Sequence, residues 1–168
     1  MAPLRAIALD PGITTGIAIL TDIPAASRTG FRYTDLCNGT LHLAQEKLSV
    51  YELYSALEQW RPYQIICENF EYRNRAREKL ELFSVQLIGV TNLYVQRMAD
   101  CDVKVELVLQ TAATGKGHYS DAKIRGLDLW VPGKPHAMDA TRHLLHWLTF
   151  GSGYRFKDKA NELGIGIV

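Results

Sequence analysis

The sequence is short of several things, and each shortage excludes a class of protein. Three cysteines occur in 168 residues, Cys37, Cys67 and Cys101, with no CxxC pair among them. A disulfide framework or a cysteine-built zinc site is not expected, and reduced thiols suit a cytoplasmic location. No apolar run approaches the ~20 residues of a membrane-spanning helix, so no membrane partner is expected. The opening MAPLRAIALD lacks the pattern of a secretory signal. Neither sign of charge dominates: 19 basic and 18 acidic side chains leave a net charge of +1, which by itself does not point to nucleic acid. Repeats, low-complexity tracts and long Pro/Ser/Gly linkers are missing too. With 47% hydrophobic and 22% charged residues the composition is near the globular average. The expectation is one domain over residues 1–150, followed by a tail at 151–168 that is rich in Gly and Lys.

What is present is unevenly placed. Residues 1–72 hold 5 basic and 8 acidic side chains, whereas residues 115–159 hold 8 basic and 4 acidic. A neutral total of this kind can conceal a basic binding face.

Hydrophobic patterning predicts alternating strands and helices. Residues 4–10 read as a buried strand, and the tight turn PGITTG leads to a second at 17–21, so the two are expected to pair as an antiparallel hairpin. A third strand is expected within 31–43. Apolar residues at helical spacing (Val50, Leu53, Tyr54, Leu57, Trp60) predict a helix that stops before Arg61-Pro62. Residues 63–67 read as a short buried strand ending at Glu68, 76–99 as the longest helix and 103–109 as a further strand. Residues 110–119, with Gly115 and Gly117, are expected to be a loop. Residues 120–130 are expected to form a short helix capped by Ser120, and Pro135 suits the first turn of a last helix running to about Phe150. The fold class is therefore α/β, a mixed five-stranded sheet flanked by helices. Trp60, Trp130 and Trp147 sit at apolar helical positions and are expected in the core.

Three acids stand at element ends: Asp10 closes the first strand, Glu68 closes the strand at 63–67, and Asp139 lies in the first turns of the last helix. Neighbouring strand ends in such a sheet share an edge, where sites form. Hard divalent cations prefer carboxylate oxygens, and a pair of them activates water and stabilises the leaving oxygen of a phosphodiester. His136, three residues before Asp139, shares a helical face with it and is the fourth candidate, as a metal ligand or general acid. His143 and His146 lie farther along the same helix without a known zinc spacing and are expected to pack or face solvent. Arg73, Arg75, Arg77 and Lys79 alternate through EYRNRAREK just after Glu68, each able to neutralise a phosphate. QTAATGKG at 110–117 lacks the first Gly and the Ser/Thr of a nucleotide-binding loop, so an ATPase of that type is not expected.

Four segments together resemble the RuvC-type Holliday-junction resolvases, in the ribonuclease H-like superfamily, and most of all their phage relatives. IALDPGITTG (7–16) is similar to the opening strand and turn of that family, IICE (65–68) to its second acidic strand, GKGHYSDAK (115–123) to a Gly-x-Gly loop followed by Lys, and HAMDA (136–140) to its terminal motif. The resemblance implies a ribonuclease H-like fold and a homodimer. It also implies dependence on Mg²⁺, with Mn²⁺ as a substitute, and hydrolysis of branched DNA in recombination, repair or resolution of replicated DNA. By the same carry-over Asp10, Glu68, His136 and Asp139 would hold metal, and Lys123 would lie by the scissile phosphate. Phe70 and Tyr72 would help open the junction by stacking, and the long helix would form the dimer interface. One departure is Gln110, where family members often carry a second lysine; Lys116 is the candidate substitute. Alternatives from other classes are a related nuclease acting on flaps, RNA or RNA–DNA hybrids, and a catalytically dead DNA-binding module. DPGITT also resembles the first phosphate loop of the actin-like ATPases, but no second such loop occurs in these 168 residues.

Overall fold

The computed structural model describes residues 5–21, 41–70 and 82–150. Five strands form one mixed sheet: β1 (Ala6–Asp10), β2 (Thr15–Leu20), β3 (Leu41–Glu46), β4 (Gln64–Glu68) and β5 (Glu106–Gln110), in the spatial order β3-β2-β1-β4-β5. β1 pairs antiparallel with β2, and β2 antiparallel with β3. β1 and β4 run parallel, as do β4 and β5. Among the described residues five helices accompany them: α1 (Val50–Trp60), α2 (Phe83–Asp100), α3 (Ala112–His118), α4 (Asp121–Gly126) and α5 (Pro135–Phe150).

The central strands read as unbroken apolar runs because both faces are covered. Ile7, Leu9, Ile65 and Cys67 point to a core shared with Leu53 and Leu57 of α1 and Leu87 and Tyr94 of α2. Ala6, Ala8, Ala18 and Ile66 point the other way, onto Ala137, Ala140 and Leu144 of α5. Burying a leucine such as Leu53 or Leu57 is worth about 1.5–3 kcal/mol. The small residues on the second face let α5 lie close to the sheet. Gly16 in β2 is the extreme case: an added Cβ would fall 1.9 Å from the carbonyl oxygen of His136.

The hairpin, the α1 stop, the Ser120 cap and the Pro135 start all occur as expected. α1 carries a full capping box at Ser49 and Glu52 and ends at Arg61, which adopts φ 46° and ψ 55° just before Pro62, a neighbour that disfavours further helix. Ser120 accepts a hydrogen bond from the Lys123 N–H at the start of α4. Trp147 is buried, and Trp60 and Trp130 pack against the two cores.

Four expectations are corrected. The helix that Ser120 caps ends at Gly126, so Trp130 lies beyond it and not at a helical position. The third strand lies at Leu41–Glu46, and residues 22–40 lie outside the described ones. β5 starts three residues late, because Asp102 turns at φ 56° and leaves Val103 exposed. Residues 112–118 are helix, not loop. Two glycines cost this helix about 1 kcal/mol each in intrinsic propensity, but Gly115 is buried where an added Cβ would meet Arg142 and His143 at 3.0–3.3 Å. It serves the close approach of α3 to α5. No helix among the described residues is long and apolar enough to cross a membrane.

Candidate active site

Because β1, β4 and β5 are parallel, their C-terminal ends lie side by side. Leu9 pairs with Cys67, which puts Asp10 and Glu68 one step beyond. Glu68 pairs with Gln110 at the end of β5. The N-terminal half of α5 crosses this edge and adds His136, Asp139, Arg142 and His143. The expected acids therefore converge from three elements.

Their side chains are mostly buried, at 14% exposure for Asp10, 20% for Glu68 and 17% for Asp139. Burial pushes the Asp10 carboxyl above its ordinary range; hydrogen bonding to His136 opposes this, and the charges of Glu68 and Asp139 add to it. Three carboxylates within mutual electrostatic reach repel one another, and a cation relieves that.

Each acid has a nitrogen partner inside the protein. His136 Nδ1 lies 2.9 Å from Asp10 Oδ2, while the His136 backbone N–H donates to Gln45 Oε1 of β3 at 3.0 Å. His143 Nε2 lies 2.8 Å from Glu68 Oε2, and its Nδ1 lies 2.8 Å from Gln110 Oε1. Asp139 pairs with Lys116 of α3 at 3.0 Å and, through its other oxygen, with Arg142. Arg142 also binds Asp121 and donates from Nε to the Tyr119 carbonyl at 2.9 Å, tying α3 and α4 to α5. Among the described residues no three His, Cys, Asp or Glu side chains form a ready-made metal cage.

A cavity of about 320 Å³ opens between Pro11, Glu68, Asn69, Phe70 and Lys116. A second, of about 420 Å³, lies across Lys116 and Asp139, bounded by Trp130, Met138 and Arg142. Lys123 is exposed on α4, its Nζ donating to the His118 carbonyl at 2.9 Å. Tyr72, Arg73, Arg75, Arg77 and Lys79 lie outside the described residues. Cys67 is buried behind the site, and burial, with the charges of Glu68 and Asp10, pushes its thiol far up, so it stays protonated.

Arg142 and Gln45 belong to this site without having been singled out for it, and so does Gln110, marked in the sequence only as a departure from an expected lysine. His143 is a correction: it is buried but does not merely pack. Its spacing of four from Asp139 on one helix was the available sign.

Among solved structures, the chain is similar to the Thermus thermophilus RuvC structure, at 17% identity over 95% of this chain and 98% of that one, with a TM-score of 0.57. It is also similar to T. thermophilus RuvC in complex with Holliday junction substrate, at 14% identity, 95% and 97% coverage and a TM-score of 0.56. The yeast mitochondrial Holliday junction resolvase gives 12% identity, 96% and 84% coverage and 0.53. Near-complete coverage at such low identity shows a shared fold, ribonuclease H-like in its five-stranded mixed sheet. No family model matches the sequence, and no curated protein sequence matches it.

Proposed function

We propose that this protein is a divalent-metal-dependent endonuclease that hydrolyses phosphodiesters in branched DNA, with the Holliday junction as its principal substrate. It would act in the cytoplasm during recombination or resolution of replicated DNA. The observation that carries this is the convergence of Asp10, Glu68 and Asp139 on one sheet edge, close enough for the latter two to raise the Asp10 carboxyl. Fold alone does not fix function, but the fold shared with Holliday-junction resolvases favours this substrate class.

The donor set fits a hard cation. Asp10, Glu68 and Asp139 offer carboxylate oxygens and His136 an imidazole, the donors suited to Mg²⁺ or Mn²⁺. When bound, such ions supply charge stabilisation at the phosphodiester and activation of water. The chain's own groups do the rest. His136, 45% exposed, has its Nδ1 2.9 Å from Asp10 Oδ2 and is the candidate general acid. Lys116, 58% exposed, can leave Asp139 for a phosphate, and Lys123, exposed on α4, is proposed as a further phosphate contact. Phe70 borders the cavity beside Glu68, where an unpaired base can stack. Tyr72 and the cations Arg73, Arg75, Arg77 and Lys79, which follow Glu68 in sequence, are proposed as further DNA contacts. A second copy of the chain is the proposed partner at α2, whose Leu82, Val85 and Leu93 are exposed on one side; sedimentation should then report a dimer.

The test is Mg²⁺-dependent cleavage of a labelled four-way junction, mapped at nucleotide resolution beside flap, RNA–DNA hybrid and linear duplex substrates. Asp10→Asn and Glu68→Gln should abolish cleavage and leave junction binding nearly intact. Cleavage that survives both substitutions overturns the proposal. Preferential cutting of hybrids or flaps would favour the related nuclease.

A further inference from the structure

Gln110 stands where the resemblance leads one to expect a lysine, and His143 stands where helical spacing predicts packing. Both are buried, at 7% and 1% exposure. They touch each other and, through His143, the Glu68 carboxylate. We propose that Gln110 and His143 are positioning residues, which fix the Glu68 carboxylate at the end of β4 through a buried chain of two hydrogen bonds. This rests on the metal-dependent reading above and deepens it.

The chain is anchored at both ends. Gln110 pairs with Glu68 in the sheet register, and its carbonyl accepts the Asn69 N–H at 2.7 Å, so its backbone is held. His143 lies in the interior of α5, with both ring nitrogens engaged at 2.8 Å. It therefore has no nitrogen left for a cation. Hydrogen-bond accounting then determines the proton. If Gln110 presents its carbonyl oxygen, Nδ1 must carry a hydrogen; if it presents its amide nitrogen, Nδ1 accepts. With Glu68 ionised, Nε2 must carry a hydrogen in either orientation, because a carboxylate only accepts. The imidazole thus grips Oε2 and leaves Oε1 for a cation. Groups of this kind orient a ligand, and their loss typically lowers metal affinity or activity about 10–100-fold.

The probe is Mn²⁺ alone, titrated calorimetrically into the full chain. Gln110→Leu should weaken Mn²⁺ binding about 10–100-fold, and Gln110→Glu, which keeps an acceptor for the ring, should restore most of it. In the cleavage assay Gln110→Leu should lower kcat while leaving KM for the junction unchanged, and a wild-type thermal melt of the same sample separates this from a loss of folded enzyme. Nitrogen-15 spectra of the metal-free protein add an independent readout. The His143 Nε2–H signal should be present in wild type and in Gln110→Glu, and lost or broadened in Gln110→Leu. Wild-type Mn²⁺ affinity in Gln110→Leu together with an unchanged ring signal would overturn the proposal. If wild type binds no Mn²⁺, the metal reading falls, and the ring signal alone decides whether the chain holds Glu68.

Discussion

The seating of α5 on the sheet depends on one missing methyl group, so Gly16→Ala is a sharp perturbation. The added Cβ would lie 1.9 Å from the His136 carbonyl oxygen, 2.2 Å from its carbonyl carbon and 2.9 Å from the Ala137 nitrogen. All three are backbone atoms, so no side chain can rotate away. The start of α5 must withdraw by about 1 Å to relieve the contact. Overpacking of a core costs about 1–3 kcal/mol, and rigid backbone on both sides places this change at the upper end. For a chain of this size 3 kcal/mol lowers Tm by roughly 6–12 °C. The same withdrawal stretches the His136–Asp10 contact from 2.9 Å beyond hydrogen-bonding distance. A misplacement of about 1 Å costs on the order of 100-fold in rate, so junction cleavage should fall by that much even where the variant remains folded. Thermal melts and single-turnover cleavage read the two effects. Gly117→Ala is the control for stability: its Cβ meets nothing within 4 Å, and at a helical position it should leave Tm unchanged or raise it by a few degrees. A Gly16→Ala protein that melts within about 2 °C of wild type and cleaves normally would refute this account of how α5 sits on β2.

Two further predictions concern single anchors. Ser49→Ala removes the capping box of α1 and should cost about 1 kcal/mol, read as a Tm lower by roughly 2–4 °C. The same box holds the Glu52 carboxyl below its ordinary value, mainly through the Ser49 backbone N–H. A depressed folded value means that this contribution is present above the unfolded value of 4.5 and is lost as pH falls through the folded one. Alanine keeps that N–H and loses only the hydroxyl's hydrogen bond to the Glu52 carboxyl, so the Tm difference between Ser49→Ala and wild type should shrink only slightly on acidification; a difference that grows down to pH 3 would argue against it. Arg142→Met strips Asp139, Asp121 and the Tyr119 carbonyl of a guanidinium that is only 7% exposed. Breaking a fully buried pair costs about 3–5 kcal/mol; Asp121 is 64% exposed, so about 2–3 kcal/mol is expected here. Denaturant melts with an unchanged m-value check this, and a loss under about 0.5 kcal/mol would contradict it.

The parts legible in the sequence are those governed by local chemistry. The β1–β2 hairpin follows from a tight turn between apolar runs, α1 from its period and the Arg61-Pro62 stop, and α5 from Pro135. Asp10, Glu68 and Asp139 were visible because each ends or begins an element, where a side chain reaches the sheet edge. What sequence could not show is set by distant partners. Glycines at 115 and 117 carry the local signature of a loop, but Gly115 serves contact with α5, and only tertiary packing reveals that. His143 resembles a packing residue because its partners, Glu68 and Gln110, lie 75 and 33 residues away in sequence. Arg142 looks like a surface cation because Asp121 is 21 residues distant.

The pairing of the acids also gives the near-neutral total of +1 a local meaning. Asp139 is held through one oxygen by the buried Arg142 and through the other by the exposed Lys116. Glu68 is held through Oε2 by the buried His143. Burial decides which partners can exchange. An exposed ammonium gives up a salt bridge worth no more than about 1 kcal/mol, whereas a buried guanidinium that leaves must abandon several acceptors at once. On the proposed function, Arg142 and His143 therefore keep their oxygens while Lys116 gives way. Asp10, Glu68 and Asp139 would hold a cation whose charge offsets theirs, and Lys116, released from Asp139, would add its own charge to the phosphate-binding face. Although the chain is nearly neutral in total, this face would thus become more positive when DNA and metal meet it.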